Sequence, residues 1–368
     1  MQFIFDILTA LLMGYISLTN SWAGYIETWF VAEEESSETQ QAPIETEEIP
    51  LTKTNSAFSL IPDVLRTSPN YQQAALQAAI TPSISTSNAI NAIVNIFCTS
   101  TTRSHVRTTT GTGFFIHSDG VILTNAHVAQ YLLLTRTDTL GETECIVRTG
   151  NPASPQYEAD ILYISPTWVV NNAGFINTTN PTGTGERDYA LLYVTKSVDE
   201  SPLPASFPAL STDTALIPRT LAGRTVFATG YPAESLIREG VSTNLVPKQA
   251  STTVTDLFTF GTNYADVIAL AGSSVGEHGA SGGPITTSEN NAIGMITTKG
   301  DDTTDGKGSL RAITLSYINR TIEEETGFPL ENAMSGDLPF RAKIFTDTMV
   351  PFLTQVISTN TVPPSTVE

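Results

Sequence analysis

Basic residues are scarce in this chain: 18 Lys and Arg stand against 37 Asp and Glu over 368 residues, a formal net charge of −19. No basic patch and no Gly-rich phosphate loop occurs, so a nucleic-acid partner is not expected. The chain has only four histidines and two cysteines, and none joins acidic residues at metal-ligand spacing. Neither a metal nor another cofactor is therefore expected. Long apolar runs are also missing near the start, where Ile7 to Leu18 falls short of the roughly 20 residues that cross a bilayer. Helical periodicity is sparse between about residue 90 and residue 315. Runs of Thr, Val, Ile, Tyr and Phe punctuated by Gly, Pro, Asn and Asp take its place, the pattern of many short strands.

The negative charge is uneven. Residues 33 to 48 hold seven glutamates and no Lys or Arg, with Ser, Gln and Pro and few apolar residues. Such a segment cannot bury enough apolar surface to fold, and residues 31–58 read as an acidic, disordered linker. Residues 1–30 are apolar, with Phe3, Ile4 and Phe5 before Ile7 to Leu18 and Trp22, Tyr25, Trp29 and Phe30 after it. That length suits the core of an export signal, and Ser21-Trp22-Ala23 is a small-x-small cleavage site. Left uncleaved, residues 3–30 would associate with a membrane, their aromatic side chains at the interface. Against this, Asp6 interrupts the segment and the first lysine is Lys53, so a basic leader is missing. The expectation is an extracytoplasmic protein, secreted or membrane-anchored.

Three segments carry chemistry. Gly111-Thr112-Gly113-Phe114-Phe115-Ile116 and Val121-Ile122-Leu123-Thr124 flank a Ser-Asp-Gly turn, a β-hairpin pattern, and His127 follows at the rim of the second strand. Asp188 opens an apolar run through Val194 suited to a buried strand, where an unpaired carboxylate is costly and a histidine is a natural partner. In Gly279-Ala280-Ser281-Gly282-Gly283-Pro284 the glycines permit a tight turn that leaves the Gly279 and Ser281 amides free to face a developing oxyanion. A serine hydroxyl attacks a carbonyl only when an imidazole takes its proton and a carboxylate holds the imidazole's tautomer. His127, Asp188 and Ser281 supply one group of each kind, in that order. Alone, each is a common structural residue; together, each beside a strand pattern, they point to acyl transfer. His105 and His117 are expected to be solvated loop residues, and His278 to pack or hydrogen-bond within the serine loop.

These segments, with Ala292-Ile293-Gly294-Met295-Ile296-Thr297-Thr298, resemble the trypsin-like serine peptidases of the chymotrypsin superfamily, and within it the bacterial Deg/HtrA-like branch. The resemblance covers about residues 88–320, taken as the protease domain. It implies an all-β fold of two packed six-stranded antiparallel β-barrels with short flanking helices. His127 and Asp188 would come from the first barrel and Ser281 from the second. It also implies a serine endopeptidase acting on polypeptide substrates through an acyl-enzyme, with a setting in extracytoplasmic protein quality control. A catalytically silent protease-fold scaffold or binding module is the alternative.

Two departures from better-known relatives matter. Ala280 stands where peptidases activated by cleavage carry an aspartate for the new N-terminal ammonium, so that ion pair cannot form. Val275 stands where digestive relatives place an aspartate at the base of the primary pocket. With Ile296, Thr297 and Thr298 as the other pocket residues, an Arg or Lys side chain would find no counter-charge, and small or aliphatic side chains are preferred.

Helical spacing returns at the flanks. Residues 70 to 80, within a lead-in of residues 59–87, are expected to cap the first barrel. Residues 316 to 326 and about 339 to 357 are expected to be helical, with residues 321–368 forming a C-terminal extension and a frayed tail. The 48 residues after position 320 are too few for the peptide-binding PDZ domain that many Deg/HtrA-like relatives carry. Cys98 and Cys145 both fall in the expected first barrel, where a disulfide and two buried thiols are both consistent with the pattern.

Overall fold

The computed structural model describes residues 64–77, 87–101, 106–135, 141–177, 183–234, 244–261, 263–299 and 308–361. All belong to one unit, residues 55–368; the apolar N-terminal segment, the acidic linker, His105 and the last seven residues lie outside the described residues. Among the described residues, no helix is long and apolar enough to cross a membrane.

Twelve strands among the described residues close into two antiparallel barrels of six. The first contains β1 (Ile93–Thr101), β2 (Val106–His117), β3 (Val121–Thr124), β4 (Glu142–Thr149), β5 (Ser154–Ile164) and β6 (Ala190–Ser197), in the order β1-β2-β3-β6-β5-β4. The second contains β7 (Thr225–Gly230), β8 (Lys248–Phe258), β9 (Val267–Leu270), β10 (Pro284–Thr286), β11 (Ala292–Lys299) and β12 (Leu310–Thr314), in the order β10-β11-β12-β9-β8-β7. The all-β, two-barrel expectation is met, and short helices flank the barrels.

The expected β2–β3 hairpin turns at Ser118-Asp119-Gly120, with Gly120 at φ +88°. Its neighbour His117 is not solvated as expected. It is 7% exposed at the end of β2, and its Nδ1 accepts the Asp119 N–H at 3.2 Å. Phe207 covers this turn, since a Cβ on Gly120 would lie 2.8 Å from its ring.

The helices are α1 (Val64–Thr67), α2 (Pro69–Gln77), α3 (Ala89–Ala92), α4 (Ala126–Leu134), α5 (Pro166–Asn172), α6 (Leu315–Thr326), α7 (Leu330–Ala333), α8 (Leu338–Thr348) and α9 (Val350–Thr361). Strand β3 is buried at every position because one face lines the barrel and the other is covered. Helices α4 and α8 pack over the neighbouring β5, and α8 also reaches β6. Phe345, Leu353 and Ile357, all 0% exposed, join the same hydrophobic cluster as the first barrel.

Position 320 falls inside α6, and the helices beyond it share the first barrel's hydrophobic cluster. The described part of the lead-in packs on these C-terminal helices: Tyr71 of α2 is buried against Arg341 of α8, and Gln72 donates to the Thr326 carbonyl at 3.1 Å.

Cys98 and Cys145 are direct partners in the β1–β4 register and form a disulfide. The bond closes a loop of sequence separation 47. In the chain-entropy account, cross-linking a loop of that length stabilises the fold by about 4 kcal/mol. Alkylation of denatured protein should therefore add mass only after reduction, and Cys98→Ser with Cys145→Ser should lower unfolding stability by a few kcal/mol, roughly 2–4, in denaturant titration.

Candidate active site

His127 and Asp188 are brought together by the first turn of α4. Asn125 is the N-cap residue of that helix, yet its side chain makes no capping bond. Its Nδ2 instead donates to the Asp188 carbonyl at 2.9 Å. The orphan amide of the helix is satisfied from outside: the His127 N–H donates to Asp188 Oδ1 at 2.9 Å. The other carboxylate oxygen, Oδ2, lies 2.7 Å from His127 Nδ1. One acid thus caps the helix and fixes the ring that the helix carries. The Asp188 side chain is 6% exposed and that of His127 22%, so the acid is enclosed while the imidazole stays reachable. With Nδ1 held by the carboxylate, Nε2 is the nitrogen left to take a proton from an incoming hydroxyl.

Ser281 sits in a loop whose peptide groups are locked one after another. The His278 carbonyl accepts from Ala233 N at 2.6 Å and the Ala280 carbonyl from Gly283 N at 3.0 Å. The Gly279 carbonyl accepts from Thr112 Oγ1 at 2.7 Å, and the Ser281 carbonyl from Thr112 N at 2.8 Å. The amides of Ala280 and Gly282 are also occupied, by the carbonyls of Glu277 and Ile296. The amides of His278, Gly279 and Ser281 donate to none of the described residues.

The loop needs glycine at two points. Gly279 has φ +92° and Gly282 φ +89°, and a Cβ on Gly282 would lie 1.9 Å from the Thr112 carbonyl oxygen. Thr124 is the other neighbour of that Cβ, at 2.7 Å, and it stands three residues before His127. The serine loop is therefore seated against the strand that leads into the histidine. The Ser281 hydroxyl itself is half-buried and makes no hydrogen bond to the described residues.

The expected pocket residues divide. Val275 is fully buried and shares an apolar cluster with Val226, Ala228, Ala280, Ile296 and Leu310, so the position below the serine carries no charge. Thr298 is half-buried. Thr297 stands apart from that cluster, at the junction of the barrels, where its Oγ1 accepts from Asn125 Nδ2 at 3.4 Å and donates to the Met295 carbonyl at 3.3 Å. The His278 side chain is exposed, and what the loop uses is the residue's carbonyl.

Three residues with clear structural work at this site were not singled out from the sequence: Thr112, Asn125 and Arg187. Thr112 had a signal, as the residue between two glycines in a strand. The other two act through partners far away in the chain.

Two closed six-stranded antiparallel barrels with short flanking helices define a chymotrypsin-like fold. The sequence profile of the trypsin-like peptidase domain matches residues 111–295, and the chain belongs to that family. No curated protein matches the chain.

Thr112→Val would keep the shape of this side chain but leave the Gly279 carbonyl and the Tyr231 amide, now at 2.7 and 2.9 Å from Oγ1, without their partner. Two desolvated backbone groups predict a loss of about 2–4 kcal/mol in denaturant unfolding, whereas Thr112→Ser should lose less than half of that.

Proposed function

We propose that this protein is a serine endopeptidase that uses His127, Asp188 and Ser281. The observation that carries the reading is the double hydrogen bond from His127 to Asp188, together with a serine loop in which the Gly279 and Ser281 amides donate to none of the described residues. In this mechanism His127 Nε2 takes the proton from Ser281 Oγ as the oxygen attacks the scissile carbonyl carbon. The oxyanion binds the Gly279 and Ser281 amides, and Asp188 stabilises the imidazolium. Collapse transfers the proton to the leaving amine. Water then enters, is deprotonated by the same imidazole, and releases the acyl group from the serine.

The specificity proposed is for small or aliphatic residues before the scissile bond. Its support is the uncharged cluster around Val275, which offers nothing to neutralise a buried ammonium or guanidinium. An oxidising, extracytoplasmic compartment is supported by the Cys98–Cys145 disulfide. A role in protein quality control there rests on the resemblance to the Deg/HtrA-like branch. A silent scaffold would share the fold but not the activated serine.

A fluorophosphonate probe should label the purified protein at Ser281, and Ser281→Ala should abolish labelling while lowering turnover roughly a millionfold with the thermal melt unchanged. A folded protein that does not react would favour the scaffold. On an unfolded protein substrate, cleavage after Ala, Val, Thr, Ile or Leu should exceed cleavage after Arg or Lys by at least about tenfold. Dominant cleavage after Arg would remove the specificity reading and leave the chemistry intact.

A further inference from the structure

Arg187, the residue before the proposed triad acid, is unused in the mechanism above and is held unusually firmly. Its φ is +55°, in the left-handed region that a side chain with a Cβ resists. Such a conformation persists only where its surroundings enforce it. One helix, α6, supplies much of that enforcement, alongside the turn in which Asp188 N donates to the Gly185 carbonyl at 3.2 Å. The Arg187 N–H donates to Tyr317 Oη at 3.1 Å. Its guanidinium is tied to Glu325 Oε1 at 3.0 Å and Glu324 Oε2 at 2.7 Å, both in the last turn of α6.

Glu325 is itself buried, its side chain 6% exposed, and accepts from Thr167 Oγ1 at 2.6 Å, Ser165 Oγ at 3.1 Å and Tyr163 Oη. Burial by itself would pull the Arg187 guanidinium below its ordinary pKa, but Glu325 and the other acceptors outweigh it and hold the group above that value. The arginine is a fully charged clamp. On the other side of Asp188, Tyr189 Oη donates to Thr321 Oγ1, again on α6, at 2.8 Å. Both neighbours of the acid are thus moored to one helix while its carboxylate points the opposite way, to His127.

We propose that Arg187 is a positioning residue: clamped by Glu324 and Glu325, it holds the left-handed backbone that aims Asp188 at His127. The kinetic consequence rests on the peptidase reading; the geometric one does not. Without the clamp the residue relaxes towards negative φ, the following peptide turns, and the carboxylate leaves the imidazole. Misplacement of a catalytic group by about 1 Å costs on the order of a hundredfold in rate.

The full chain carries the test, with Arg187→Ala, Arg187→Gly and Tyr317→Phe compared after each is shown to melt cooperatively. Arg187→Ala should lower kcat roughly 10- to 100-fold with KM within about threefold of wild type, and should weaken the low-field proton resonance of the His127–Asp188 hydrogen bond. Arg187→Gly lacks the guanidinium but adopts positive φ freely, so it should recover the resonance and bring kcat to within about tenfold of wild type.

Tyr317→Phe removes only the acceptor of the Arg187 amide and should lower kcat about three- to tenfold, which keeps the test open if the alanine variant does not fold. A clamp with a merely structural role predicts the reverse order, glycine no better than alanine, and that result overturns the proposal, as does wild-type kcat and resonance in Arg187→Ala. If the unaltered protein fails to react with fluorophosphonate, the peptidase reading falls, and the resonance in the three variants still decides the positioning role.

Discussion

Thr112 ties the serine loop of the second barrel to the first. Thr112 is fully buried, and each of its polar atoms is engaged. Its amide and hydroxyl donate to the Ser281 and Gly279 carbonyls, the hydroxyl also accepts from Tyr231 N, and its own carbonyl accepts from Thr124 Oγ1 at 2.7 Å. A buried backbone group without a partner is costly, so the serine loop cannot shift without leaving several such groups stranded. The spacing of the two barrels, the conformation of the loop and the direction of its free amides are consequences of the same few bonds. Tyr231 adds a second tie from the other side, donating from its hydroxyl to the Gly150 carbonyl at 2.9 Å.

A second economy concerns Asp188. Helix α4 begins with an asparagine that does not cap it, and the carboxylate that would otherwise only orient the imidazole performs the capping as well. Helix, histidine and acid are therefore one mechanical unit. Disturbing the acid loosens the helix start, and displacing the helix start moves the ring.

The parts of this arrangement that were legible in the sequence are those encoded locally. The hairpin, the apolar run after Asp188 and the glycines around Ser281 each announce a backbone shape within a few residues, and all three appear where the pattern put them. Helix α4 was not legible, because Ala126 to Leu134 is buried apart from His127 and so lacks the polar face that marks a surface helix. His117 was misjudged for a related reason. Its position beside a turn suggested solvent, while the Phe207 ring that covers the turn lies some 90 residues later in the chain. Arg187 carries no local mark at all, since its partners are 130 to 138 residues away and chosen by how α6 docks.

That docking has a consequence for how the molecule comes into being. The strands of the first barrel and its acid–imidazole pair are complete by residue 197, yet the helix that moors the residues on either side of the acid begins at Leu315, and the apolar cover of the barrel ends only at α9. A chain made from its amino end therefore carries the acid–imidazole pair, and then Ser281, before the helix that moors Arg187 and Tyr189. The acid–imidazole pair thus waits on a later segment of the chain for its bracing.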